Sequence, residues 1–297
     1  MSGQHIATGP IALDYTLESG QVFHWEKHLD GQWSGLIGDQ LAIVSQSGQD
    51  ISIHRGDPAT ISRYFALDHP LAEIEANFPD EPLSQAALQA CRGMRILRQP
   101  RWECVAAFIT SSMKQVAHIR GMSLAIRKKF GTPVADSSVN AYPSFEKLAG
   151  SNEAALRSCG LGYRAENLLK TARLLDSGKI DLEQIASLPT PELRQVLQHL
   201  PGVGVKVANC ILLFTYERLD AVPIDTWIHR ILVAMRRGRG GTPAQLASYA
   251  RRRLGPYAGY VQQYLFHHAR MAKSKNKSNI KPRDVVSKKT TPASSAT

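Results

Sequence analysis

The stretch running from Leu200 to Asp225, LPGVGVKVANCILLFTYERLDAVPID, decides the fold. Pro201-Gly202-Val203-Gly204 holds too many breakers to sit inside a helix, so a turn is placed there. Val207, Cys210, Ile211 and Phe214 then recur at i, i+3, i+4 and i+7, the buried face of a helix opening at Lys206. Asp225 directly precedes a second apolar pattern, Ile228, Ile231, Leu232 and Met235, where a carboxylate caps a helix. Gly202 and Gly204 let main-chain N–H groups approach a partner closely, and N–H groups at a helix start suit a phosphate. The stretch therefore presents a phosphate-gripping hairpin, an amine beside it and a carboxylate at a helix start. An amine becomes a nucleophile when desolvation or a neighbouring cation lowers its pKa. A carboxylate close by can steer protons or stabilise a cationic sugar-like transition state. Taken singly, each residue has a plainer reading: a solvated lysine and a capping aspartate.

Composition narrows the partner. The 297 residues are enough for one large or two modest domains with a real core. The formal charge is +11, of which about +6 falls from Lys273 onward, leaving about +5 for the folded part. A basic balance calls for an acidic partner, and nucleic acid is the usual one; a solubilising tail is the plainer alternative. No stretch has the length and apolarity of a membrane span, and the first residues lack a signal-peptide pattern, which predicts a soluble intracellular protein. Cys91, Cys104, Cys159 and Cys210 are scattered singly, which argues against a structural zinc site or an iron–sulfur cluster.

Along the chain, residues 10–55 read as antiparallel strands. QVFHWEKHL, QWSGLIG, QLAIVSQ and ISIHR are separated by turn signals at Asp30-Gly31, Gly38-Asp39 and Ser47-Gly48. Asp57-Pro58 carries the cap-plus-proline start of a helix. From about Leu83 to Met271 nearly everything reads as helix, including Val116 to Phe130, Arg164 to Ser177, Pro191 to His199 and Tyr257 to Met271. The predicted architecture is α+β: an N-terminal antiparallel β domain over 1–82, a helical domain over 83–271, and a basic disordered tail over 272–297.

LPGVGxKVAxC followed by VPxD resembles the helix-hairpin-helix glycosylase superfamily, and within it the 8-oxoguanine DNA glycosylase/AP lyase family. The resemblance spans roughly residues 10–270. It implies that Lys206 attacks the sugar C1′ and that Asp225 supports the chemistry. Ser19-Gly20-Gln21-Val22-Phe23-His24-Trp25 matches the family's SGQxFxW, in which the glycine carbonyl accepts the N7 hydrogen that 8-oxoguanine has and guanine lacks. On pattern alone, Gly20 is a turn glycine entering a strand. Gln262 and Phe266, in GYVQQYLF, match GWAQxxLF and share a helix face, implying an edge reader and a stacking surface for a flipped purine. Cys210 would line the same pocket, though core filler fits its pattern nearly as well, and Phe214 stands where the family has an apolar partner across the pocket. Tyr163 and Arg164 match GYRA, which implies a wedge in the duplex and a guanidinium for the opposite base.

Five positions that bear on function depart from the family, Lys114 and Gln115 among them, each in place of an asparagine. FITSSMKQVAHI stands for FICSSNNNIARI, so Met113 replaces the asparagine that fills the vacated space and His118 the arginine that contacts the estranged cytosine. Both weaken the case for a strict cytosine preference, while Met113 suits an apolar plug; the bland alternative is a loop without a role. Trp227 stands where better-known members carry a phosphate-touching histidine, and is expected to pack or stack. The implied function is a bifunctional glycosylase/AP lyase acting as a monomer on double-stranded DNA containing 8-oxoguanine, with no catalytic metal and no redox cofactor. A monofunctional glycosylase for alkylated bases would need Asp225 but not a nucleophilic Lys206, and a non-enzymatic DNA-binding module would need only the hairpin with Gly202 and Gly204.

Overall fold

A computed structural model describes residues 4–6 and 10–278, with side chains described for 10–273. The N-terminal part is one antiparallel sheet of β1 (Gln4–Ile6), β2 (Glu26–Lys27), β3 (Trp33–Ile37), β4 (Gln40–Ser47) and β5 (Asp50–Arg55), in the order β1-β5-β4-β3-β2. Gly31, Gly38 and Gly48 take positive φ at the three turns read from the sequence, where a residue with a Cβ would be strained. Trp25, Trp33, Val44, Ile51 and Ile53 fill the sheet's core.

Two sequence assignments in this part are corrected. A helix, α1 (Leu13–Glu18), lies within the region read as strands. Leu13 and Leu17, one turn apart, are both buried, so helical spacing was present but short. QVFHWEKHL is a strand only at Glu26–Lys27. Its first residues turn their polar groups into the core instead: a His24 ring nitrogen lies 2.7 Å from the Leu36 carbonyl and Trp25 Nε1 donates to the Tyr64 hydroxyl at 3.0 Å.

Thirteen further α-helices, with a π-helical turn at Arg157–Leu161 and a 3₁₀ turn at Gln184–Ser187, complete the described chain. They are α2 (Pro58–Tyr64), α3 (Leu71–Ala76), α4 (Pro82–Cys91), α5 (Arg101–Thr110), α6 (Val116–Phe130), α7 (Phe145–Ala149), α8 (Glu153–Leu156), α9 (Arg164–Asp176), α10 (Thr190–Gln198), α11 (Val205–Phe214), α12 (Thr226–Met235), α13 (Pro243–Leu254) and α14 (Ala258–Ser278). Asp57 caps α2 by accepting from the Thr60 amide at 2.7 Å, as its place before Pro58 predicts. The middle of the bundle is α5, whose residues from Glu103 to Thr110 are all buried. Buried Glu103 pairs with Arg127 of α6 and lies 3.2 Å from His24, tying the sheet part to the bundle. Burial, with the Arg127 charge beside it, holds the His24 imidazole well below its usual pKa.

The final helix does not stop at Met271. It continues to Ser278, through residues read as disordered tail, because alanine and lysine are good helix formers and Lys273 finds a partner in the Trp227 ring at 4.9 Å. The rest of that tail, 279–297, lies outside the described residues. Among the described residues no helix is long and apolar enough to cross a membrane.

Candidate active site

α10 and α11 are joined by the Gly-rich turn. Gly202 has φ +85°, and an added Cβ would meet the Asn167 side chain at 3.0 Å and Ile109 at 3.2 Å, so both its conformation and its packing require glycine. The Pro201 carbonyl accepts from the Thr171 hydroxyl at 3.0 Å, which fixes the hairpin against α9. Gly204 is the N-cap of α11 and is exposed, with nothing near its Cβ direction, so the amides of the helix start face open space.

Lys206 follows in the first turn of α11. Its ammonium lies 5.5 Å from the centre of the Phe108 ring, and Phe108 in turn stacks on Phe214 at 5.3 Å with the planes 9° apart. Cys210 is buried one turn further on, and burial pushes its thiol pKa up despite the neighbouring lysine. Asp225 caps α12: Oδ1 accepts from the amides of Trp227 at 3.0 Å and Ile228 at 2.9 Å. These bonds hold the carboxylate at the positive end of the helix.

Lys206 and Asp225 open into one cleft of about 1170 Å³, lined also by Gly202, Gly204, Trp227, Phe266, Arg270 and the 111–117 loop. On the rim, Met113 is 94% exposed and has φ +54°, a conformation that costs a non-glycine residue about 1 kcal/mol or more. Tyr163 is 53% exposed, while Arg164 is buried. The Arg164 guanidinium donates to the Ser112 carbonyl from Nε at 2.9 Å and from Nη2, donates to the Leu161 carbonyl at 3.3 Å, and lies 4.4 Å from the Tyr163 ring centre. It therefore clamps the Met113 loop beside Tyr163, and is not a free donor on the surface. His118, on the first turn of α6, is exposed and stands outside the cleft lining.

Gly20 packs behind the cleft, against Arg270, Val116 and Phe266. Its φ is +84°, and an added Cβ would lie 2.8 Å from Arg270 Nη1, 3.0 Å from Val116 and 3.6 Å from the Phe266 ring. The loop is pinned by its neighbours. The Gln21 amide donates to the Thr16 and Arg95 carbonyls, each at 2.9 Å, and accepts from the Leu97 amide at 2.9 Å; Gln263 of α14 donates to the Ser19 carbonyl at 3.1 Å. Gln262 is buried, and its Oε1 has no hydrogen-bond partner among the described residues.

Residues 5–105 match the model described as 8-oxoguanine DNA glycosylase, N-terminal domain, and residues 106–256 that of the HhH-GPD superfamily base excision DNA repair protein. The chain belongs to the 8-oxoguanine DNA glycosylase family. It is 32% identical to a probable N-glycosylase/DNA lyase of Methanothermobacter thermautotrophicus, over 71% of this chain and 74% of that protein. It is 30% identical to the N-glycosylase/DNA lyase OGG1 of Arabidopsis thaliana, over 86% of this chain and 76% of that one. The crystal structure of Clostridium acetobutylicum 8-oxoguanine glycosylase/lyase, in complex with double-stranded DNA containing cytosine opposite 8-oxoG, superposes with a TM-score of 0.84 at 28% identity, covering 89% of this chain and 93% of that one.

Among the residues singled out from the sequence, Lys206, Asp225, Gly202, Gly204, Met113, Trp227 and Phe266 line one cleft. Cys210, Phe214 and Gln262 are buried outside its open lining, and Phe108 stands between Phe214 and the lysine. Three residues of this family member escaped the sequence reading. Phe108 gave no signal beyond an apolar helix face. Gln21 sat inside the quoted SGQ segment. Arg270 follows Phe266 by four residues on the same face of α14.

Proposed function

We propose that this chain is a bifunctional DNA glycosylase/AP lyase that excises 8-oxoguanine from duplex DNA, acting as a monomer within the cell. The observation that carries the reading is the shared cleft: Lys206 and Asp225 face a space lined on its far side by Phe266, against which Gly20 packs, and whose rim carries Met113. Amides of the hairpin would hold a backbone phosphate, which positions the duplex without reading sequence. Met113 and Tyr163, exposed side chains on neighbouring loops, would occupy the gap left as the damaged nucleotide swings out.

In the cleft, the Lys206 amine in its neutral form gives its electron pair to C1′ while the bond from C1′ to the base nitrogen breaks. The departing base takes up a proton. Positive charge gathers on the sugar during this step, and the Asp225 carboxylate, locked by two amides, stabilises it. The sugar ring then opens as C1′ becomes an imine on the lysine nitrogen. Loss of a C2′ proton expels the 3′ phosphate and nicks the strand, and water hydrolyses the imine to free the lysine.

Borohydride reduction during turnover on a duplex with a single 8-oxoguanine tests this directly. A covalent protein–DNA adduct is expected with the native chain and absent from Lys206→Gln. Base release by both proteins without an adduct would instead identify a monofunctional glycosylase.

A further inference from the structure

The helix that carries Gln262 and Phe266 places a third side chain at the same site. Residues 262, 266 and 270 succeed one another at every fourth position, so they form one stripe about 12 Å long on α14. Arg270 ends that stripe. Its guanidinium carbon lies 5.8 Å from the centre of the Phe266 ring, and Nη1 is the group a Gly20 side chain would strike at 2.8 Å. Nη2 is anchored on the Glu18 carbonyl and lies 3.3 Å from His267 Nδ1. Nη1, by contrast, is shielded from water and has no hydrogen-bond partner among the described residues. A cationic donor left unpaired in a buried position costs free energy, which a bound acceptor would recover. Gln262 Oε1, at the other end of the stripe, is buried and unpartnered in the same way.

We propose that Arg270 is a specificity residue that donates a hydrogen bond from Nη1 to the C8 carbonyl oxygen of the extruded base. The inference rests on the glycosylase reading above, in which Gln262 meets the Watson–Crick edge, Phe266 takes the ring face and Gly20 accepts from N7–H. A purine laid along α14 with its Watson–Crick edge at Gln262 directs its five-membered ring toward residue 270. There O8 is adjacent to N7, and Nη1 is adjacent to Gly20. Guanine has neither the N7 hydrogen nor O8, so the two contacts select for the same oxidation. In the absence of DNA the guanidinium covers the Phe266 face. Entry of the base slides it aside, with the Glu18 carbonyl as the fixed point, and the unpartnered donor gains its acceptor. A hydrogen bond from a charged donor in a dry site discriminates strongly.

The test is single-turnover excision of 8-oxoguanine, alongside nicking of a duplex with a preformed abasic site, by the native chain, Arg270→Met and Arg270→Lys. Arg270→Met is expected to slow 8-oxoguanine excision roughly 10- to 100-fold, the worth of one charge-assisted hydrogen bond. Abasic-site nicking needs no base pocket and is expected to stay within about twofold. Arg270→Lys, which keeps a charged donor, is expected to fall between. Excision by Arg270→Met at or above the native rate would overturn the proposal and leave Arg270 as a filler of the empty site. Equal losses on both substrates would also overturn it, since an effect through the Glu18 anchor on the fold makes no distinction between them. A native chain that nicks abasic sites but leaves 8-oxoguanine in every duplex would refute the base assignment itself, which is a separate failure.

Discussion

Replacing Arg164 with methionine separates two roles for the same residue. As a contact to the opposite base, Arg164 would matter for selectivity and little for stability. In the structure it is 5% exposed, and its guanidinium is spent on main-chain carbonyls of Ser112 and Leu161. Hydrogen bonds from a charged donor are worth about 1.5–3 kcal/mol net, and the pair that converges on Ser112 counts as a single such interaction. Adding the longer bond to Leu161, and allowing water to reach the half-buried Ser112 carbonyl, gives a loss of roughly 2–4 kcal/mol. For a chain of this size each kcal/mol lowers Tm by about 2–4 °C, so a fall of about 4–16 °C is expected in a circular-dichroism melt. The clamp also holds Met113 in its positive-φ conformation beside Tyr163, so the wedge should loosen whatever base lies opposite. Excision of 8-oxoguanine should therefore drop by a similar factor opposite cytosine, adenine, guanine and thymine. An unchanged Tm, with activity lost only opposite cytosine, would refute the clamp and restore the direct contact.

Gly20→Ala should cost activity more than stability. The new methyl would meet Arg270 and Val116 at 3.0 Å or less and sit at φ +84°, a penalty of about 1–2 kcal/mol, while crowding the Phe266 face. A fall of at least tenfold in 8-oxoguanine excision is expected, with abasic-site nicking preserved; equal loss of both would show that the loop had merely unfolded. Acid should destabilise the chain through His267. Burial, then the charges of Arg270 and His268, lowers its pKa from 6.5 to about 4. Between those values the unfolded chain binds the proton and the folded chain does not, so stability falls as pH drops through that window, by up to roughly 3 kcal/mol. Urea melts of the native chain and His267→Asn at pH 7 and pH 4.5 check this; an identical pH response in both would count against it.

The helical part was legible because its signals are local and redundant. Gly131 ends α6 and Asp225 caps α12 where sequence alone places them. Residues 13–25 were less legible because their conformation answers to distant groups. Gln21 reaches the carbonyl of Arg95, and Trp25 reaches Tyr64, so no local period of two survives. The site divides in the same way. Lys206 and Asp225 carry a spacing that can be read, whereas the depth of Arg164 depends on Ser112, which is remote in sequence. Phe108 entered the lysine's surroundings through packing alone, since any apolar face of α5 reads alike.

On the proposed reading, the arrangement separates what is recognised from what reacts. Lys206 and Asp225 belong to α11 and α12, at the heart of the helical part, and their positions depend on the hairpin and a cap. Gly20 belongs to the loop that leaves α1, which is held by the Gln21 amide on the Thr16 and Arg95 carbonyls and by Gln263 of α14 on the Ser19 carbonyl. On that reading, the helix that would present Gln262 and Phe266 to the base is thus also the one that holds the Gly20 loop. A pocket that must tell N7–H from a bare nitrogen needs the distance to Gly20 held to a fraction of an ångström, since hydrogen bonds weaken steeply with misalignment. Side-chain-to-main-chain bonds provide such a hold, because they bind the loop's backbone itself and leave the glycine without a side chain to occupy the space the base requires.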